Sequence, residues 1–127
     1  MLVDVYWNLN RGGYSIRAAE GADKGRVIGY AAGVDLANAT FKVQTGGRDT
    51  VRRKHVKSVH AWVRGDLVAT HATVTPHAFD GSRVTYNPYR YDSFVMLGDG
   101  APRPIEAAAL VSLRTNAETG AAHVVAC

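Results

Sequence analysis

Arg48 and Arg52 stand four residues apart, a spacing that puts two guanidinium groups on one helix face, where their forks can grip phosphate oxygens in pairs. They belong to the decapeptide Arg48 to Lys57 (RDTVRRKHVK), in which Arg48, Arg52, Arg53, Lys54 and Lys57 face one acid, Asp49. The decapeptide thus carries +4, the same net charge as the whole chain with its fifteen Lys and Arg against eleven Asp and Glu. Everything outside it sums to zero. Charge focused in this way points to an anion held at one place rather than to a diffusely sticky surface. Gly46 and Gly47, just ahead, free backbone N–H groups at the helix start for the same anion. Three readings stay open at this level: a phosphate-bearing small molecule, a nucleic acid, or a helix packed through Val51 and Val56 with its cations in water.

A second stretch, Thr85 to Phe94 (TYNPYRYDSF), holds four aromatics in ten residues, interleaved with Asn87 and Arg90. Aromatic faces can stack on a base, while an amide or guanidinium reads its edge or meets a phosphate. Strand alternation would send Tyr89 and Tyr91 to one side and Arg90 and Asp92 to the other. Tyr86 and Phe94 are expected to be buried, as ordinary core. Asn87 and Arg90, polar groups at a proline break, are the better candidates for contact with a ligand.

Other constellations carry less. His55, His60, His71, His77 and His123 show no metal-ligand spacing with cysteine partners, and no metal or cofactor is expected. A Ser/His/Asp site need not be contiguous in sequence, but no nucleophile elbow or paired acidic motif is present. The Gly-x-Gly instances lack a phosphate-loop lysine. A non-enzymatic binder is therefore the leading class.

The 127 residues fit one domain, and 46% hydrophobic composition is enough to build its core. No apolar run is long enough to cross a bilayer, and the N-terminus MLVDVYWNLNR brings acid and polar groups too early for a signal peptide, so a soluble intracellular protein is expected. The single cysteine, Cys127, cannot form an internal disulfide, which agrees with a reducing compartment.

Period-two alternation dominates, so the fold is read as mainly β, an α+β chain. Val3 to Leu9 and Tyr14 to Arg17 form a hairpin through Asn10-Arg11-Gly12-Gly13. Arg26 to Ala32, Ala39 to Gln44 and Val59 to Arg64 follow as strands, with the basic helix over about 47–57 between the last two. Beyond a loop from His71 to Ser82, Arg83 to Tyr86 is a strand interrupted by Pro88 and resumed from Tyr89 to Met96. Ala107 to Arg114 pairs with Ala121 to Ala126. The expected architecture is a single domain of two small antiparallel sheets, about 1–45 and 59–127, with one short basic helix between them.

The succession VYWNLN…YSIR, GRVIGYA, TFKVQTGGRDTVRRKHVKSVHAWVRG and VTYNPYRYDSFV resembles a family of small phage and prophage proteins over most of the chain. Its most specific parts are the GR-x-x-V-R-R-K-x-V-x-S-V-H-A-W-V-R-G segment and TYNPY. The chain is also similar to the anti-Thoeris sponge proteins, the first described family of Thoeris inhibitors. That resemblance implies a homo-oligomer in the host bacterial cytoplasm, a homodimer or a larger ring such as a hexamer. It also implies non-destructive capture of cyclic ADP-ribose isomers and, in some members, of cyclic di- or trinucleotides. Carried onto this chain, it places an aromatic from the Phe79 loop, Asn87 and Arg103 around adenine and ribose, and Arg48, Arg52 and Arg53 against the phosphates. Tyr89 and Arg90 complete the expected contact set. The alternative is a small DNA- or RNA-binding accessory protein whose arginines follow a backbone. A virion or assembly component with a merely solvated basic helix would bind no ligand at all.

Overall fold

The computed structural model describes residues 1–127. In chain order the elements are β1 (Leu2–Asn8), β2 (Gly13–Ala18), β3 (Val27–Ala31), β4 (Gly33–Val43), α1 (Thr45–Lys54), β5 (Ala61–His71), β6 (Ser82–Thr85), β7 (Val95–Met96), β8 (Arg103–Pro104), β9 (Ala107–Thr115) and β10 (Ala122–Ala126). The chain is mainly β with one short helix, as its alternation predicts.

The expected division into two small sheets is corrected. All ten strands join in one antiparallel sheet, ordered β3-β2-β1-β5-β4-β9-β10-β6-β7-β8. Two eleven-residue strands, β4 and β5, unite its halves. Both are longer than their alternation shows, for a local reason. In β4, Val34 and Leu36 point into the core, then a bulge around Asn38 shifts the phase by one, and Ala39 and Phe41 point inward instead. Asn38 takes the left-handed region at φ 50°, which asparagine tolerates better than most residues. Before the bulge the pattern therefore looks out of step with the clean run after it. In β5, Gly65 resembles a strand end but lies where the bulged β4 presses closest, since a Cβ there would sit 3.0 Å from the Ala37 carbonyl oxygen. The strand runs on through it to His71.

The sheet curls around its own apolar face. The Tyr14 hydroxyl on β2 donates to the Arg114 carbonyl on β9 at 3.2 Å, although β1, β5 and β4 lie between those strands. One core cluster accordingly draws Val3 and Val5 from β1, Tyr14 and Ile16 from β2, Val63 from β5, Val84 from β6 and Val111 and Leu113 from β9. Each fully buried aliphatic side chain contributes about 1.5–3 kcal/mol, so this concave face holds the fold.

The convex face is built differently. Loop 72–81 folds over β9, where the Pro76 carbonyl accepts from Arg114 Nε at 3.3 Å and the His77 ring meets Ser112 Oγ at 3.2 Å. Beneath it Asp35 and Arg114 form a 2.7 Å ion pair with Arg114 only 2% exposed. His71 at 3.0 Å and Ser112 at 3.0 Å satisfy the rest of the Asp35 carboxylate. Burial alone would push the Asp35 pKa up. Hydrogen bonds from Arg114, His71 and Ser112 outweigh it and hold the carboxyl below its ordinary value.

Two further expectations are corrected locally. The helix spans Thr45–Lys54 rather than 47–57, because His55 enters the left-handed region at φ 53° and caps the helix with its N–H on the Val51 carbonyl. Val56 to Val59 then run outside it. The stretch from Tyr89 is a turn instead of a resumed strand: the Asn87 carbonyl takes the N–H groups of Arg90 at 3.1 Å and Tyr91 at 2.9 Å, and only Val95–Met96 returns to the sheet.

Candidate binding cavity

Helix α1 is an excursion from the sheet that begins and ends at one place, since Gln44 N–H donates to the His60 carbonyl at 2.7 Å. Gly47 makes the close return possible, because a Cβ there would stand 2.7 Å from the His60 Cβ. The only buried residue of α1 is Val51. Val51, together with the segment from His55 to Trp62 that follows the helix, lines a cavity of about 680 Å³ at one end of the curled sheet.

The cavity is mostly apolar and notably aromatic. Val5, Trp7 and Tyr14 from the first hairpin, Val63 from β5 and Leu113 from β9 line it from the sheet, while Tyr86, Tyr89 and Phe94 line it from the turn region. Tyr86 and Phe94 are half-buried and pack at a tilt of 33° with centroids 5.1 Å apart. At the mouth, His55 stacks on Tyr89 at 5.7 Å with the planes 14° apart, and Tyr89 remains 54% exposed. Deeper in, His60 donates from Nδ1 to the Ser58 carbonyl at 2.9 Å, and its Nε2 shares a 2.8 Å hydrogen bond with the Tyr86 hydroxyl. Burial raises the Tyr86 pKa, partly offset by the positive charges of Arg48 and Arg52. The arginines thus project their field onto the cavity wall.

The two regions singled out in the sequence do converge, but not as free ligand groups. Arg48 Nη1 donates to the Asp92 carbonyl at 2.9 Å. Arg52 donates through Nε to the Pro88 carbonyl, and through Nη2 to the Tyr91 carbonyl at 3.0 Å and Asp92 Oδ1 at 2.9 Å. Both forks are engaged in holding the 87–92 turn against α1. The Arg52 hydrogen bond, helped by the charges of Arg48 and Arg52, lowers the Asp92 pKa. Asn87 is exposed, and its Oδ1 accepts the Tyr89 N–H at 2.9 Å, so its side chain shapes the turn.

Arg90 is exposed, with its guanidinium 5.9 Å from the Tyr91 ring. Arg103 is exposed on the two-residue strand β8 at the end of the sheet, and Phe79 is half-buried in the loop whose Pro76 and His77 cover the convex face. Neither Arg103 nor Phe79 lines the cavity; of the eight contact candidates only Tyr89 does. Arg53, Lys54 and Lys57 are exposed, and Lys57 lies on the cavity lining.

Sequence reading missed Trp7, Tyr14, Lys57 and His60 as cavity residues. Trp7 and Tyr14 were visible as strand residues on the inward phase, and their edge-to-face contact at 5.0 Å closes one wall. No spacing rule indicates at which end of a curled sheet the core is left unfilled.

Comparison with known proteins gives the lineage. Residues 1–121 match a family model described as Mycobacterium phage L5 gene 82 protein. The gene 82 protein of Mycobacterium phage L5 itself is 43% identical over 106 residues, covering 79% of this chain and 81% of that protein. No solved structure matches. With an aligned span that takes in both hairpin and sheet, helix α1 and the 87–92 turn, the chain belongs to the phage L5 gene 82 protein family.

Proposed function

We propose that this phage protein is a non-enzymatic sponge that captures a cyclic nucleotide immune signal, a cyclic ADP-ribose isomer or a cyclic di- or trinucleotide, and releases it unchanged only on unfolding. The observation that carries this reading is the aromatic cavity opening beside the chain's concentrated positive charge. Its volume of about 680 Å³ falls within the range of small-ligand sites, roughly 300–1,000 Å³. Stacking on aromatic side chains contributes about 1–3 kcal/mol per base and tolerates any base. A flat heteroaromatic ring therefore enters among Tyr86, Tyr89 and Trp7, and its phosphates stay toward Lys57, with Arg53 and Lys54 adding positive potential from the same segment. The arginines of the expected contact set act at one remove: Arg48 and Arg52 fix the turn that carries Tyr89 and add long-range positive potential.

The test is direct. The protein is incubated with cyclic ADP-ribose isomers and with cyclic oligonucleotides, separated from free ligand, heat-denatured, and the released molecule identified by mass. Recovery of intact ligand in proportion to protein supports capture; recovery of a converted product means an enzyme; no retention of any of them overturns the reading.

One observation favours a second reading, a DNA- or RNA-binding accessory protein: Arg53, Lys54 and Lys57 form an exposed cationic row within five residues. Salt separates the two. Duplex binding weakens with a log–log slope near −0.9 per neutralised phosphate, so three contacts give a slope of about −2.7, whereas a ligand held in the cavity responds far less.

A further inference from the structure

Behind the cavity wall, on the convex side of β9 and β10, loop 72–81 brings His77 against His123. His77 Nε2 and His123 Nδ1 are 3.2 Å apart, with the ring planes at 84° and the centroids at 4.6 Å. The hydrogen on His77 is assigned by the groups behind it. Asp35 as a carboxylate can only accept, so the single Ser112 hydroxyl hydrogen goes to Asp35 Oδ1 at 3.0 Å. Ser112 Oγ must then accept, at 3.2 Å, from the N–H on His77 Nδ1. A neutral imidazole has one N–H, so His77 Nε2 turns a bare lone pair toward His123.

We propose that His77 and His123 are two ligands of a divalent transition-metal site, of the imidazole-preferring class of Zn²⁺, Ni²⁺ and Cu²⁺, with water in the remaining positions. Two nitrogens bound at about 2.0–2.1 Å to one tetrahedral ion stand about 3.3 Å apart, close to the separation found here. The Asp35–Ser112–His77 chain is the arrangement by which a carboxylate orients a metal-binding imidazole from behind. Arg114 does not repel the ion by net charge, because it is paired with Asp35 at 2.7 Å. Both rings are half-buried, so an ion can reach them from solvent. Binding there would tie loop 72–81 to β10 without involving the cavity, whose Leu113 and Val124 lie on the opposite face of the same two strands.

The experiment titrates chelator-treated protein with Zn²⁺ near neutral pH, by calorimetry and by thermal melting. The expected result is one ion per chain with a raised Tm, since an ion that binds only the folded state stabilises it. His123→Asn removes one ligand while keeping a side-chain N–H near His77, and should abolish both effects. His55→Ala, at the cavity mouth, should leave both intact. Ser112→Ala should weaken binding about 10–100-fold. If the two rings share only a hydrogen bond, the wild-type protein will ignore zinc, and the proposal is overturned. It is equally overturned if zinc binds His123→Asn with unchanged affinity.

Discussion

Two of this molecule's arginine systems fasten a loop to its body, one buried and one at the surface. On the convex face Arg114 is 2% exposed and its guanidinium is consumed by Asp35 and the Leu113 and Pro76 carbonyls. On the concave side Arg48 and Arg52 reach out of a surface helix to the carbonyls of a turn and to the exposed Asp92. Both systems fasten a loop to the body of the fold. They differ in what they leave over: the first closes a polar interior, whereas the second leaves Arg53 and Lys54 exposed and Lys57 on the rim of the cavity. Positive charge in a sequence is thus a poor guide to an anion site until the carbonyls it serves are known.

The sharpest way to separate the systems is to remove one arginine from each. Arg114→Met strands the Asp35 carboxylate in the interior and should cost about 3–5 kcal/mol in urea denaturation, as breaking a buried ion pair does. Adding Asp35→Leu to that variant should restore much of the loss, since an apolar pair avoids burying the charge. Arg52→Gln should cost less, about 1–2 kcal/mol, because its lost carbonyl bonds lie partly in water. Equal losses at the two positions would remove the distinction. Tyr89 should respond only to the second change, through a rise in proteolysis of the 87–92 turn.

A charge reversal of Arg53, Lys54 and Lys57 to Glu should cost about 1 kcal/mol, because Arg53 and Lys54 sit in the last turn of α1, where cations favour the helix dipole. Its larger effect should appear in binding. Capture of an anionic nucleotide should fall, and the salt slope of any nucleic-acid binding should collapse. Unchanged capture would exclude these side chains from the phosphates and move attention back to Arg48 and Arg52.

Much of the fold was legible, and the reasons for the gaps are particular. The first hairpin and the pairing of β9 with β10 follow from uninterrupted alternation around Gly-containing turns, and both pairings are present. The single sheet was not legible, because the bulge at Asn38 and the glycine at position 65 disguise the two strands that join its halves. The convergence of RDTVRRKHVK with TYNPYRYD was legible as chemistry, arginine beside aromatic. The direction of the arginine bonds was not. Carbonyl acceptors belong to every residue and leave no mark in a sequence, so Pro88, Tyr91 and Asp92 could not be foreseen as the partners of Arg48 and Arg52. The Asx turn at Asn87 shows the same problem: an asparagine before proline reads equally well as a ligand contact or as a turn former, and its Oδ1 bond to the Tyr89 N–H assigns it to the turn.

The smallest expected effect tests whether Arg52 stays on the turn in solution. Asp92 has its pKa lowered first by the Arg52 hydrogen bond, so its carboxylate form favours the folded state. Its contribution is present above the unfolded carboxylate value, near 3.9, and is lost as pH falls through the lower folded value. Asp92→Asn should therefore melt slightly below wild type at neutral pH, with the two Tm curves converging as the pH is taken below about 4. Asp35 also has a lowered pKa and gives both proteins the same acid-induced fall, so only the difference between the curves reports Asp92. Parallel curves across that range would mean that Asp92 does not hold Arg52, and that the Pro88 and Tyr91 carbonyls alone fix its guanidinium.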